Sequence, residues 1–298
     1  MPKIVIIGNS AAGFSCAEHL KENSPAEEIN VISQEEFPAY RKDLLVSYIA
    51  GQIPERELYL CSHDFYKNKG INFFPGAQAV RVDTKKQNLT LKDKTKISYD
   101  FLVIASGQKI EIPDIPGRTK TGVVPFDGLK QASQIKDSLI VANPVCIVGA
   151  SAVALRLAEA IAAKNKEVKF ISETAPLDFS PVANIELITG VSCAELIGET
   201  AELAALKLSS GKVIATQLAI FTDNFSASLD FLKDSPVKIQ DGFIAIDENY
   251  RANLENVFSC GSVTKKEISW QEAMSQGRST AQIILKSFQT GEITCQKC

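Results

Sequence analysis

The hydrophobic pattern is most regular at the start of the chain. Ile4 to Ile7 form an unbroken β-branched run that ends at Gly8, the pattern of a parallel strand covered on both faces. Phe14, Ala17 and Leu20 then recur at helical spacing, so residues 3–20 predict a buried strand, a tight turn and an amphipathic helix. Glu28 to Ser33 reads as a second parallel strand and Gly70 to Phe74 as another short one. Residues 79–83, 88–92 and 96–100 alternate as hairpin strands, with Asp93 and Lys94 near a turn. Tyr99 to Gly107 is a buried strand running into glycine, and Pro113, Pro116 and Gly117 mark a rigid crossing between domains. Pro144 to Ala154 repeats the opening plan of strand, glycine turn and helix, the helix reaching Ala163, and Glu167 to Ser172 supplies the second strand of this unit. Three hairpin-like runs follow, 191–196, 204–208 and 213–220, before a turn at Asp223, Asn224 and Phe225. Phe243 to Ile246 is a strand, Asn256 to Ser262 a strand ending in a glycine turn, and a last helix is predicted from about Ser269 to Lys286.

Composition narrows the class. With 298 residues, 45% hydrophobic and 22% charged, the chain can bury two proper cores. A net charge of −3 and scattered basic residues give no footprint for nucleic acid. No apolar run is long enough to cross a bilayer, and the first one is broken too early for a signal peptide; a cytoplasmic protein without a membrane partner is expected. The seven cysteines are an odd number, and Cys16, Cys146 and Cys193 sit alone in apolar surroundings, which suits buried thiols in a reducing compartment.

The candidate chemistry lies at the glycine turns. Free N–H groups and the positive dipole end at the start of the first helix make a seat for a diphosphate. Against Gly-x-Gly-x-x-Gly, Gly8 and Gly13 are present and Ser10 takes the middle place; alone, this motif also fits an ordinary βα turn. After the second strand, Gln34 and Glu35 can bond a ribose, Glu35 lying 27 residues beyond Gly8. In the second unit Ser151 and Ala154 stand where the middle and last glycines would be. Trp270, the only tryptophan, can stack on a flat ring or close the edge of a core. His19 and His63 read as structural, so no catalytic acid or base is named. Cys295 and Cys298 form a Cys-x-x-Cys pair without a second ligand pair, and are read as surface thiols rather than a metal site.

Two such units, the second inserted between halves of the first, with a late glycine turn at Gly261 and a closing helix, resemble the flavoprotein pyridine nucleotide-disulfide oxidoreductase superfamily. The likeness runs from residue 3 to about residue 288. Ile-Ile-Gly-Asn-Ser-Ala-Ala-Gly at 6–13 and Pro-Ala-Tyr-Arg-Lys at 38–42 are most similar to its rubredoxin reductase, nitrite reductase large subunit and ferredoxin reductase branch. The resemblance implies an α/β fold of two Rossmann-like, three-layer ββα dinucleotide-binding domains; the family's usual C-terminal interface domain is not expected, a departure from the family pattern. Residues 1–112 and 231–298 would bind FAD, and 113–230 would form a shortened NAD(P)-binding-like domain. By motif position Gly8, Ser10, Ala11, Ala12 and Gly13 hold the FAD pyrophosphate, Gln34 and Glu35 the adenosine ribose, and Val80 the adenine. Lys42 falls near the isoalloxazine, Ser106 and Gly107 beside the diphosphate and ribityl, Gly261 and Ser262 at the ribityl chain, and Trp270 with Gln271 at the pyrimidine end. Gly149, Ser151, Ala152 and Glu173 fall at the NAD(P) site, Glu173 leaning toward NADH because a carboxylate opposes a 2'-phosphate.

The chain also departs from the family pattern. An aspartate usually follows the late glycine, and here it is Ser262. The glycine expected after the strand 218–221 is Asp223, whose charge would repel phosphates. Residues 174–189 leave too little room for the usual helix, and the Cys-x-x-x-x-Cys pair of the glutathione reductase branch is missing. Two functions remain in view. One is an FAD-dependent oxidoreductase carrying electrons from NAD(P)H to a small redox protein or small-molecule acceptor. The other is a degenerate FAD-binding subunit without NAD(P)H turnover, acting as an interaction or electron-relay component.

Overall fold

The computed structural model describes residues 2–24, 27–176, 179–199 and 201–290, and Cys295 and Cys298 lie outside them. The chain divides into two compact units. One comprises 1–41, 59–108 and 227–298, the other 42–58 and 109–226.

In the first unit the strand Lys3–Ile7 lies at the centre of a five-stranded sheet, because both of its faces are apolar. The order is Val257–Ser259, Phe101–Ile104, Lys3–Ile7, Glu28–Ile32, Asn72–Phe74, all neighbours parallel. Ile4 and Ile6 point into one core with Phe14, Ala17, Leu20 and Ile284, where the helices Ala11–Asn23 and Trp270–Thr290 pack. Val5 and Ile7 point into another with Val82, Leu89 and Leu102, under an antiparallel sheet of Ala79–Asp83, Asn88–Leu91 and Lys96–Ser98. Alternation along one strand therefore fills two cores at once. The two helices approach closely: the Ser15 hydroxyl donates to the Met274 carbonyl (2.8 Å), and a Cβ on Gly277 would lie 2.2 Å from the Ala12 carbonyl oxygen.

The second unit has a sheet of the same kind, ordered Ile185–Thr189, Val168–Ser172, Val145–Val148, Leu218–Phe221, Val123–Pro125, again all parallel. Its antiparallel partner is Cys193–Ile197, Ala205–Leu208 and Val213–Ala215. The expected hairpin run 213–220 is thus two strands, one in each sheet. Thr216 separates them, its hydroxyl accepting the Leu218 N–H (3.2 Å). Ile185–Thr189 and the helix Leu129–Ser138 are elements that the hydrophobic pattern did not single out. No helix occurs among the described residues of 174–184. Residues 42–58 join this unit through the helix Leu45–Ala50: the Tyr48 hydroxyl lies 3.2 Å from that of Ser133, and the Lys164 ammonium donates to the Ala50 carbonyl (3.0 Å).

Candidate functional site

In the first unit, sheet register decides which loops meet. Ile7 lies opposite Ile32 and Ile104, and Ile104 opposite Ser259, so four neighbouring strands end level. The segments that leave them carry Gly8 and Ser10, Gln34 and Glu35, Ser106 and Gly107, and Gly261 and Ser262, all along the carboxyl rim. Gly8 turns sharply, with φ +110°, and its N–H donates to the Ile32 carbonyl (2.8 Å). A Cβ here would lie 2.0 Å from the Ala105 carbonyl oxygen, and one on Gly13 2.0 Å from that of Gly8. Both glycines let the helix start press against the strand ends. Ser10 takes the cap position in extended conformation, yet its side chain makes no capping bond, and the first helical turn, with Ala11 and Ala12, holds no acid. That end of the helix therefore presents N–H groups and a partial positive charge toward the rim.

The rest of the rim is tied together by side chains. The Ser106 hydroxyl donates to the Ser228 carbonyl (2.8 Å), and Gln108 Nε2 donates to the Ser262 carbonyl (2.9 Å). The Gly261 N–H donates to Gln276 Oε1 (2.8 Å), which fixes the late turn to the last helix. Gln34 is exposed, while the Glu35 carboxylate accepts the Tyr40 hydroxyl (2.7 Å). Val80, 42% exposed, is the extra residue where the antiparallel register shifts between Ala79 and Arg81. Trp270 begins the last helix, carries the Arg41 guanidinium 4.4 Å over its ring and packs on the core, so one of its faces is already covered. Gln271 beside it is exposed. Lys42 belongs to the second unit, where its ammonium donates to the Asp127 carbonyl (3.2 Å).

Two residues that sequence reasoning did not name support the turn. The buried Tyr66 hydroxyl donates to Asn9 Oδ1 (2.8 Å) and accepts the Ala39 N–H (3.2 Å), and burial raises its pKa far above that of an ordinary phenol. Asn9 lies within the glycine motif, a visible signal; Tyr66, distant in sequence, gave none.

The second unit repeats the rim with different contents. Val148 lies opposite Ile171 and Phe221, which brings Gly149, Glu173 and Asp223 to one edge. Here Asp223 Oδ2 accepts the Ala150 N–H (2.5 Å), and Ser151 Oγ accepts the Ala154 N–H (3.2 Å), capping the helix Ala152–Ala162 on which Ala152 is exposed. A cavity of about 510 Å³ is lined by Gly149, Ala150, Ser172, Glu173 and Asp223 among others, and its described lining residues include no cation.

The five described cysteines are free thiols. Desolvation pushes Cys260 up to about 12 and Cys16 well above the usual thiol range, so both stay protonated at neutral pH and neither acts as a thiolate at the rim. Among the described residues no cluster of histidine, cysteine and carboxylate side chains could hold a metal ion, and no helix is long and apolar enough to cross a membrane.

A family model described as pyridine nucleotide-disulphide oxidoreductase matches residues 2–277. The chain belongs to this family. Among curated relatives, it is 29% identical over 174 residues to the assimilatory nitrate reductase electron transfer subunit of Bacillus subtilis, covering 58% of this chain and 23% of that protein. It is 24% identical over 277 residues to the probable ferredoxin reductase CtmF of Castellaniella defragrans, covering 88% of this chain and 68% of the other. The fold is the mixed α/β fold with parallel sheets of a solved covalent putidaredoxin reductase–putidaredoxin complex, with a TM-score of 0.88 at 19% identity, covering 96% of this chain and 75% of that one.

Proposed function

We propose that the chain is an FAD-dependent oxidoreductase that takes electrons from NAD(P)H and passes them through the flavin to a small redox protein or small-molecule acceptor. The observation that carries this reading is the open glycine turn at the rim of the first parallel sheet, where the helix start is drawn close by Gly8 and Gly13 and left uncapped by Ser10. That is the geometry an extended dinucleotide needs for its pyrophosphate. On this reading the first unit, residues 1–41, 59–108 and 227–298, is the FAD-binding domain, and the second, 42–58 and 109–226, is a shortened NAD(P)-binding-like domain, in place of the boundaries at 112 and 231 expected from sequence; both are of the three-layer Rossmann kind.

In the first domain the N–H groups of Ala11, Ala12 and Gly13 neutralise the pyrophosphate, and the Ser10 hydroxyl adds a bond. Gln34 and Glu35 orient the adenosine ribose, and the bulged backbone at Val80 meets the adenine. Ser106, Gly107, Gly261 and Ser262 hold the ribityl chain, and the helix start at Trp270 and Gln271 faces the pyrimidine end of the ring. When bound, FAD supplies a ring that accepts a hydride and releases electrons onward. In the second domain Gly149, Ser151, Ala152 and Glu173 receive NAD(P)H. The names of the ferredoxin reductase and electron transfer subunit relatives support a redox-protein acceptor, and the free described cysteines support a reducing, cytoplasmic setting.

The Asp223 carboxylate on the Ala150 N–H favours the second reading, an FAD-binding relay or interaction subunit without NAD(P)H turnover. Purified protein is expected to show flavin absorbance, and anaerobic NADH or NADPH is expected to bleach it. Retained FAD with no bleaching selects the second reading, and protein that does not take up added FAD overturns both.

A further inference from the structure

The turn of the second unit is filled by the chain itself. Asp223 Oδ2 holds the Ala150 N–H at 2.5 Å, and its other carboxylate oxygen lies 3.2 Å from the Thr222 hydroxyl. A Cβ on Gly149 would meet Thr222 Oγ1 at 2.1 Å and Asp223 Oδ1 at 2.7 Å, so these two side chains lie directly over the turn. The Ser151 hydroxyl is committed to its own helix. A carboxylate on a backbone N–H at the start of a helix offers the same charge and hydrogen-bond acceptors as a phosphate oxygen.

We propose that Asp223 is a built-in competitor of the dinucleotide pyrophosphate, so that NAD(P)H enters the second unit only by displacing this carboxylate from the Ala150 N–H. The inference rests on assigning NAD(P)H to that unit. Displacement alone does not remove the obstacle, because the expelled carboxylate stays attached to the cavity wall beside Glu173, with no cation among the described lining residues to neutralise either. The incoming phosphates then face like charge, and the seat discriminates against phosphate while its ribose-recognising carboxylate, Glu173, stays in place. Asp223 thus sets the nucleotide concentration at which the second unit fills.

The test is calorimetric titration of NAD+, which does not reduce oxidised flavin, into the FAD-loaded full-length protein, its Asp223→Gly variant and its near-isosteric Asp223→Asn variant. Folding is checked by circular dichroism and FAD retention by absorbance. Both variants are expected to bind NAD+ about tenfold or more tightly than the parent, within the usual range for a coupling between two occupants of one site. A gain in Asp223→Gly alone also supports the proposal, since the amide side chain of Asp223→Asn can keep the hydrogen bond while losing the charge. Equal or weaker binding by folded Asp223→Gly overturns it. Loss of FAD from the parent is a separate result that counts against the proposed function, and NAD+ affinity is read independently of it.

Discussion

At Gly8 the atom that excludes a side chain is backbone, the Ala105 carbonyl oxygen 2.0 Å from an added Cβ; at Gly149 it is side chain, Thr222 Oγ1 at 2.1 Å. The two turns close equivalent strand–helix units, and the same residue serves each for a different reason. In the first, glycine lets rigid elements come together and leaves the helix start uncapped. In the second, glycine makes room for Thr222 and Asp223, which occupy the turn. A glycine motif therefore reports close approach, and what approaches decides whether a ligand can follow.

The largest expected effect comes from attacking the rigid turn. Gly8→Ala forces a Cβ into a backbone carbonyl at positive φ, and strain and overpacking together should cost about 2–6 kcal/mol, with loss of FAD. Urea unfolding measures it, and a cost below about 1 kcal/mol would mean that the first turn yields as readily as the second. Ser262→Asp should act in the opposite direction, strengthening FAD binding by about 1.5–3 kcal/mol through a charge-assisted hydrogen bond to the ribityl chain. Flavin fluorescence during dilution follows its release, and unchanged release would remove Ser262 from the site. Tyr66→Phe leaves Asn9 Oδ1 and the Ala39 N–H without the hydroxyl they share, for about 1–3 kcal/mol of stability by the same urea measurement; the second turn is held instead by Thr222 and Asp223, which this change does not touch. The smallest and most selective pair is Ser151→Ala against Ser10→Ala. Ser151 caps its helix and Ser10 does not, so the first change should cost about 1 kcal/mol without affecting FAD. The second should leave thermal stability nearly unchanged and weaken FAD. Equal effects on stability would erase the contrast between the turns.

The opening strand, turn and helix were legible because their apolar positions follow the periods of the elements they form, and Ile4 to Ile7 have no polar face. The paired strands around Gly149 were legible for the same reason. Leu129–Ser138 was not, because only Leu129, Ala132 and Ile135 are buried along it, too sparse a stripe to stand out. Nor was the attachment of residues 42–58 to the second unit, which depends on side chains such as Tyr48 and Ser133 far apart in sequence. Asp223 was visible as a departure from the glycine pattern, but its bond to Ala150 spans 73 positions. Sequence spacing gave its charge and not its partner.

The contact between Gly277 and the Ala12 carbonyl has a consequence for biosynthesis. The rim of the first unit draws on the strand Val257–Ser259 and on Gln276 of the last helix, which leave the ribosome long after the opening turn. Residues 42–58 and 109–226 are all out before then and can pack first. The first unit must meanwhile hold its opening helix Ala11–Asn23 with one flank bare, and under the proposed function flavin capture would wait for the chain beyond residue 277.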